Sequence, residues 1–315
     1  MRTALAVLGT GLALSITGCT DEPDPDVPPP PATPSTTPST SPIPTPAPDP
    51  VLHFDQAVAM RTVRHLAGDI GPRLATGPSF REAAAYVDEQ LARAGYETRR
   101  QSFPVPAGDS WGVPVAAGRS FNVIATPPGF DPASPYVLVG AHLDTVAVAP
   151  GAEDNASGVA VLLELARTLG ATPLPVVLVA FGGEEPRGTG DDLHHFGSRF
   201  YVDEMTDAER SNLVAMVAMD RVGVGGRVPL SSVEGRSERV RDQLERTARH
   251  LDVPFRTETD AASDHESFAD AGFDAARVGS TPYAGYHSAG DVPSVVRPDQ
   301  LGRVGRVLTS WLRGR

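Results

Sequence analysis

Four short apolar runs alternate with helical patterns along the second half of the chain, and this order limits the folds available to it. The runs lie at 136–141, 176–181, 213–219 and 275–279. The helical patterns lie at 157–169, around 198–205, at 237–250 and at 299–313. An apolar run without polar alternation is typical of a strand that is buried on both faces of a sheet. We therefore predict an α/β fold, a three-layer α/β/α domain around a central mixed, mostly parallel sheet.

The preceding part of the domain adds two helices and two strands to this prediction. Helical patterns cover 55–70 and 79–95, and the second begins at Ser79, a residue type that caps helices. Strand patterns follow at 96–103 and 120–125. The predicted catalytic domain is therefore 51–315.

Residues 1–50 have the composition of an export signal and a spacer. Residues 1–19 hold Arg2, an apolar stretch and Cys19 in a context that resembles a bacterial lipobox. Residues 20–50 are rich in Pro, Ser and Thr, a composition that cannot bury a core. We predict an exported lipoprotein, anchored through lipidated Cys19 to the outer face of the bacterial cytoplasmic membrane. The alternative is an ordinary signal peptide with an incidental cysteine.

Composition excludes several classes of function. All 27 basic residues are arginine, so no lysine is available for Schiff-base chemistry or for a phosphate-binding loop. The net charge of −12 argues against binding to nucleic acid, which requires a basic surface. One cysteine can form neither an internal disulfide nor a multi-cysteine zinc site.

Histidine and carboxylate side chains recur where the apolar runs end. They are His142 and Asp144 after the first run, Glu184 and Glu185 after the second, Asp220 after the third, and His287 after the fourth, with Asp154 in the loop between the first run and its helix. Ligands of α/β sheets bind at the carboxyl ends of the strands. Imidazole and carboxylate together suit zinc, so these residues predict a metal site at that edge.

The order of these motifs resembles the co-catalytic zinc aminopeptidases of metallopeptidase clan MH, the group that includes bacterial leucyl aminopeptidases. The matching motifs are H-x-D at 142–144, E-D-N-A-S-G at 153–158, E-E at 184–185, M-D at 219–220, S-D-H-x-x-F at 263–268 and Y-H-S at 286–288. The resemblance covers roughly 55–310, and it implies two Zn²⁺ ions per chain.

The resemblance also implies a role for each residue. Asp154 would bridge both ions, His142 and Asp220 would complete one, and Glu185 and His287 would complete the other. Glu184 would be the general base. Asp144 would accept the spare N–H of His142 and fix its tautomer. The family further implies a cis peptide bond between Asp154 and Asn155.

Three features depart from the family pattern or lie beside its ligands. The stretch 186–197 is longer than expected, and we interpret it as a solvated rim loop rather than an extra metal site. Arg221 replaces an apolar residue; it would pair with a nearby carboxylate, the role we favour, or meet a carboxylate of the substrate. Asp264 and His265 would either line the site or support the ligands from behind, and we favour the second role.

The leading functional hypothesis is an aminopeptidase that acts on peptides with a free N-terminus. Alternatives are a dipeptidase or carboxypeptidase Q-like enzyme, and a glutaminyl cyclase, which uses a related site with one zinc. A further alternative, from another class, is a non-catalytic binding module on the same fold, although no ligand residue is missing. The oligomeric state stays open.

Overall fold

A computed structural model describes Gly18 and residues 52–314. The predictions for residues 1–17 and 19–50, including the lipidated Cys19, lie outside the described residues. No helix among the described residues is long and apolar enough to span a membrane.

The described elements alternate as the apolar pattern predicts. The strands are β1 Glu97–Val105, β2 Gly108–Ser110, β3 Val113–Val115, β4 Gly118–Thr126, β5 Tyr136–His142, β6 Val176–Phe181, β7 Leu213–Met219, β8 Val228–Ser232, β9 Phe255–Thr259 and β10 Ala275–Val278. The α-helices are α1 Gln56–Val63, α2 Pro78–Arg93, α3 Ser157–Thr168, α4 Phe196–Asp203, α5 Asp207–Asn212, α6 Arg239–His250, α7 His265–Asp270 and α8 Pro298–Arg313. A π-helical turn, Arg64–Ile70, continues α1.

Eight strands form one mixed sheet in the order β1-β4-β6-β5-β7-β10-β8-β9. The central pairs β6-β5, β5-β7 and β7-β10 are parallel, as is β8-β9, whereas β1-β4, β4-β6 and β8-β10 are antiparallel. This arrangement confirms the predicted mixed sheet. The carboxyl ends of β5, β6, β7 and β10 consequently lie at one edge.

The sheet separates two apolar layers. In β5, Val137, Val139 and Ala141 belong to the same apolar cluster as residues of α1, α2, α3, α6 and α8, while Tyr136 and Leu138 belong to a second cluster with α4 and α7. Burial on both faces explains why this strand shows no polar alternation. The three-layer α/β/α prediction is confirmed.

A buried arginine fixes the segment that leads from β5 towards α3. Arg73 is fully buried, and its guanidinium donates to the main-chain carbonyls of Leu66, Gly71, Leu143, Pro150 and Gly151 at 2.6–3.0 Å. Burial lowers its pKa to about 10. Five donors in a rigid planar fork suit this task, which a lysine ammonium could not repeat.

Candidate metal centre

The predicted ligands meet at the carboxyl edge of the parallel strands. His142 is the last residue of β5, Asp220 directly follows β7, and Glu185 lies four residues beyond β6. Asp154 and His287 come from the loops after β5 and β10. All five are buried, so their polar atoms must be satisfied by one another or by a bound ion.

Asp154 lies between the two histidines and gives one oxygen to each. Its Oδ1 is 3.1 Å from His142 Nε2, and its Oδ2 is 3.2 Å from His287 Nε2. On the first side, Asp220 Oδ1 lies 3.3 Å from the same nitrogen of His142. On the second side, Glu185 Oε2 lies 3.1 Å from His287 Nε2. The arrangement forms two groups of three potential ligands that share Asp154.

The residues fit a pair of dications in number and in chemistry. Each group offers one imidazole nitrogen and carboxylate oxygens that lie within 4.8 Å of one another. Glu185 Oε1 is buried without a hydrogen-bond partner among the described residues. Burial and the neighbouring Asp154 raise the pKa of Glu185 to about 8, a sign of excess negative charge at this point. A cation bound to these oxygens would remove both penalties.

Main-chain contacts hold the loop that carries Asp154. The carboxylate of Asp291 accepts the backbone N–H groups of Glu153 and Asp154 at 2.8 and 3.0 Å. The Glu153 carboxylate accepts the N–H of Gly223 at 2.9 Å. The peptide bond between Asp154 and Asn155 is cis, in agreement with the family-based expectation. Neither Glu153 nor Asp291 was predicted, since a loop carboxylate gives no sequence signal of what it binds.

Glu184, the predicted base, lies beside the ligands, and its two carboxylate oxygens face different histidines. Its Oε2 lies 3.9 Å from His142 Nε2, towards the metal ligands. Its Oε1 lies 3.3 Å from His195 Nε2, and Nδ1 of that histidine lies 3.1 Å from Glu266 Oε2. Burial lowers the pKa of His195, but Glu184 and Glu266 outweigh this effect and raise it to about 10. The imidazolium is therefore placed to hold one oxygen of Glu184.

The position of His195 corrects the interpretation of 186–197 as a solvated rim loop. His195 is only 4% exposed and lines the cavity that contains Glu184 and His287. The loop is held inward at Arg187, whose carbonyl accepts the backbone N–H of Asp109 in the β2–β3 hairpin and whose N–H donates to the carbonyl of Leu193. A histidine in a long polar stretch gives no periodic signal, so the sequence could not place it.

Asp144 also differs from its predicted contact. Its carboxylate Oδ1 lies 3.9 Å from His142 Nδ1, and the hydrogen-bond partner of Nδ1 is instead the main-chain carbonyl of Asp144 at 3.2 Å. The carboxylate is occupied by the backbone N–H groups of Glu184 and Glu185, at 3.1 and 3.2 Å. Asp144 therefore contacts the base and a ligand through their main chain.

The three flanking residues have distinct surroundings. Asp264 is buried, and burial together with Glu184 raises its pKa to about 7. His265 Nε2 bonds the carbonyl of Asp260 at 2.7 Å, and burial lowers the pKa of His265 to about 4. Arg221 lines the cavity, with Nε 3.8 Å from Asp220 Oδ1.

Arg277 is a further residue of the site that the sequence analysis did not select. It lies in β10, and its Nη2 and Nη1 donate to Asp220 Oδ2 at 2.7 Å and to Asp260 Oδ2 at 2.8 Å. The sequence did contain a signal for this residue, since Arg277 is a charged residue within an apolar run. A fully buried arginine requires a partner, so it indicates a carboxylate nearby.

Two exposed aromatic side chains form the outer wall of the cavity, whose volume is about 170 Å³. Trp111, at the turn between β2 and β3, packs edge-on against His287 with ring centroids 4.3 Å apart. Tyr286 stacks on His287 at 3.8 Å. A cavity with charged groups inside and aromatic groups at its mouth suits a small polar substrate with an apolar part.

Comparison with known proteins identifies the family. The model of Peptidase family M28 matches residues 122–312. Aminopeptidase YwaD of Bacillus subtilis is 29% identical over 187 residues, which are 55% of this chain and 40% of that enzyme. The chain spans less than half the length of two of the curated relatives that it matches: 44% of leupeptin-inactivating enzyme 1 of Streptomyces exfoliatus and 40% of aminopeptidase YwaD.

Solved structures share the fold. A zinc aminopeptidase from Bacillus subtilis superposes with a TM-score of 0.72 at 19% identity, over 82% of this chain and 95% of that one. Fimbriiglobus ruber glutaminyl cyclase gives a TM-score of 0.72 at 23% identity, over 87% and 99%. These similarities confirm the zinc aminopeptidase fold. Since the family model covers more than half of its residues, the chain belongs to Peptidase family M28.

Proposed function

We propose that the protein is an aminopeptidase that holds two Zn²⁺ ions and removes N-terminal residues from peptides with a free N-terminus. The placement of Asp154, with one oxygen towards His142 and the other towards His287, is the observation that supports this most. Membership of a peptidase family supports a hydrolase acting on peptides. An aminopeptidase relative and a zinc aminopeptidase with the same fold support the finer assignment.

Five residues would hold the ions. His142 and Asp220 would complete one site and Glu185 and His287 the other, with Asp154 common to both. Zinc, when bound, supplies Lewis acidity and lowers the pKa of a coordinated water.

Glu184 would move the proton. Its Oε2 faces the ligands, so it can take a proton from the attacking water, while His195 holds Oε1. The same carboxyl group then protonates the leaving amine. In the metal-free protein, burial raises the pKa of Glu184, but His142 and His195 outweigh it and lower the pKa. Bound dications would act in the same direction as the charge of His142 and keep the carboxylate ionised before the reaction.

Metal removal tests this proposal. The purified protein should hydrolyse an amino-acid anilide, lose this activity when dialysed against a chelator, and regain it with zinc, with about two zinc ions per chain by elemental analysis. We expect the loss because the carboxylates and imidazoles alone cannot stabilise the charge that develops on the carbonyl oxygen. Activity that persists after the metal content has fallen to zero would contradict the proposal.

A glutaminyl cyclase is the second candidate, because such an enzyme shares the fold. The two reactions differ in their products: a cyclase releases ammonia from a glutaminyl peptide and leaves every peptide bond intact, whereas an aminopeptidase releases free glutamine. Mass spectrometry of a glutaminyl peptide after incubation distinguishes them. The two-sided placement of Asp154 favours the aminopeptidase.

We further propose that the protein is exported and anchored through lipidated Cys19 to the outer face of the cytoplasmic membrane. The proposal rests on the apolar segment before Cys19 and on the absence of any other cysteine from the sequence. In a bacterial host, the full-length chain should sediment with membranes and incorporate labelled fatty acid, and Cys19→Ser should abolish the label. Labelling of the Cys19→Ser chain would contradict the proposed attachment point.

A further inference from the structure

Arg221 borders the candidate metal centre, yet it is not the main counter-ion of its nearest carboxylate. Its Nε lies 3.8 Å from Asp220 Oδ1, which is too far for a hydrogen bond. Arg277 already occupies that role, with Nη2 2.7 Å from Asp220 Oδ2. The charge of Asp220 alone therefore does not explain the second arginine.

The side chain of Arg221 is held in one orientation. Its Cζ lies 4.5 Å from the centroid of the Tyr286 ring, and its backbone N–H donates to Asn155 Oδ1 at 3.2 Å. Its φ is 56°, a conformation that a bulky residue adopts only where the surroundings enforce it. Stacking on an aromatic face leaves the edge of the guanidinium, which carries its N–H groups, available to a planar acceptor.

These N–H groups border the cavity, and none of them donates a hydrogen bond to an acceptor within residues 52–314. The side chain is 14% exposed, and within residues 52–314 it makes one ion pair, with Asp220, and one ring contact, with Tyr286. These donors are accessible from the cavity, where a ligand can take the place of water as their acceptor. Arg221 is the only arginine among the described residues that line this cavity, and the sequence has no lysine. It is thus the permanent cation that a ligand would meet beside the metal centre.

We propose that Arg221 binds a carboxylate of the substrate and so favours substrates with a carboxylate close to the bond that is cleaved. This inference rests on the proposed function. A carboxylate matches the planar N–H edge in charge and shape. It can come from the C-terminus of a dipeptide or from an acidic side chain next to the bond. In longer peptides the C-terminal carboxylate moves away by about 3.3 Å per residue.

Matched substrate pairs test the proposal in the zinc-loaded protein. The first pair is Leu-Gly and its C-terminal amide, which differ in the terminal carboxylate. The second pair is the amides of Glu-Gly and Gln-Gly, which differ in the side-chain carboxylate. For each pair the ratio of kcat/KM is compared among the wild type, Arg221→Met and Arg221→Lys. Any effect of the substitution on Asp220 and its metal cancels within a ratio.

In at least one pair the wild type should prefer the carboxylate by about 10- to 100-fold, the range of a charge-assisted hydrogen bond. Arg221→Met should bring that ratio close to one. Arg221→Lys should give an intermediate ratio, because it keeps the charge and loses the planar fork. The pair that responds identifies the source of the carboxylate. Arg236→Met, which removes an exposed arginine that pairs with Asp270, should keep the wild-type ratio.

Two results would overturn the inference: wild-type ratios near one in both pairs, or ratios that Arg221→Met leaves unchanged. If a chelator still abolishes hydrolysis of the amides in either case, the proposed aminopeptidase activity remains supported and only the role of Arg221 is wrong. If neither these substrates nor the anilide are hydrolysed, the proposed function and the inference fail together.

Discussion

Asp154→Asn should lower the metal content of the purified protein by at least one ion per chain and reduce kcat/KM by about a thousand-fold or more. Asp154 places one oxygen on each side of the centre, 3.1 Å from His142 Nε2 and 3.2 Å from His287 Nε2. Asparagine keeps the volume but is neutral and offers one acceptor oxygen, so it cannot serve both sides. Elemental analysis and steady-state kinetics with an anilide substrate measure the two effects.

The control for this variant is Asp270→Asn. Asp270 is an exposed carboxylate that pairs with Arg236, so its replacement should leave metal content and kinetics unchanged. Circular dichroism should show that both variants are folded. An Asp154→Asn protein that retains two ions and wild-type turnover would disprove the bridging role.

Glu184→Gln should reduce kcat by about 10²- to 10⁴-fold, the usual contribution of a general base, while the metal content stays near that of the wild type. Glutamine can still accept a hydrogen bond from His195 through its amide oxygen, but it cannot take a proton from water. KM should change little, since the substitution removes proton transfer and leaves the proposed ligands in place. Steady-state kinetics and elemental analysis are again the measurements.

This variant also separates two assignments of Glu184. His142, Glu184 and Glu185 form another group with potential ligand atoms within 4.8 Å of one another. If Glu184 were a ligand, Glu184→Gln would lose metal together with activity, and its role as the base would be wrong. Glu89→Gln, on the exposed face of α2 where Glu89 pairs with Arg93, serves as the matched control and should behave as the wild type.

The sequence predicted the centre of the sheet well and its far edge poorly. β5, β6, β7 and β10 are buried on both faces, and each appears as an apolar run. β8 is equally buried but contains Pro229 and two serines, and β9 alternates charged residues with threonines. Composition alone therefore hid both strands: β8 is buried despite its polar residues, and β9 is a partly exposed strand at the edge of the sheet.

The proposed ligands could be predicted because each follows a recognisable strand or occurs in a motif. The groups around them could not. His195 lies ten residues beyond Glu185 in an irregular loop, and its contact with Glu184 depends on how that loop folds. Asp144 likewise binds backbone N–H groups rather than the His142 side chain, because the turn after β6 directs two N–H groups at its carboxylate. Such contacts depend on tertiary structure and cannot be predicted from the local sequence.

The tethers of the Asp154 loop bear on how the protein would acquire its metal. Asp291 and Glu153 hold the loop through backbone N–H groups, and Arg73 fixes its start through the carbonyl of Gly151. None of these contacts uses an ion, so folding itself preorganises the ligands. In proteins whose site forms only around the ion, binding and folding share one free energy. With these tethers in place, we expect the loop to keep its conformation when the proposed zinc is removed, so that metal uptake and folding would be separate steps.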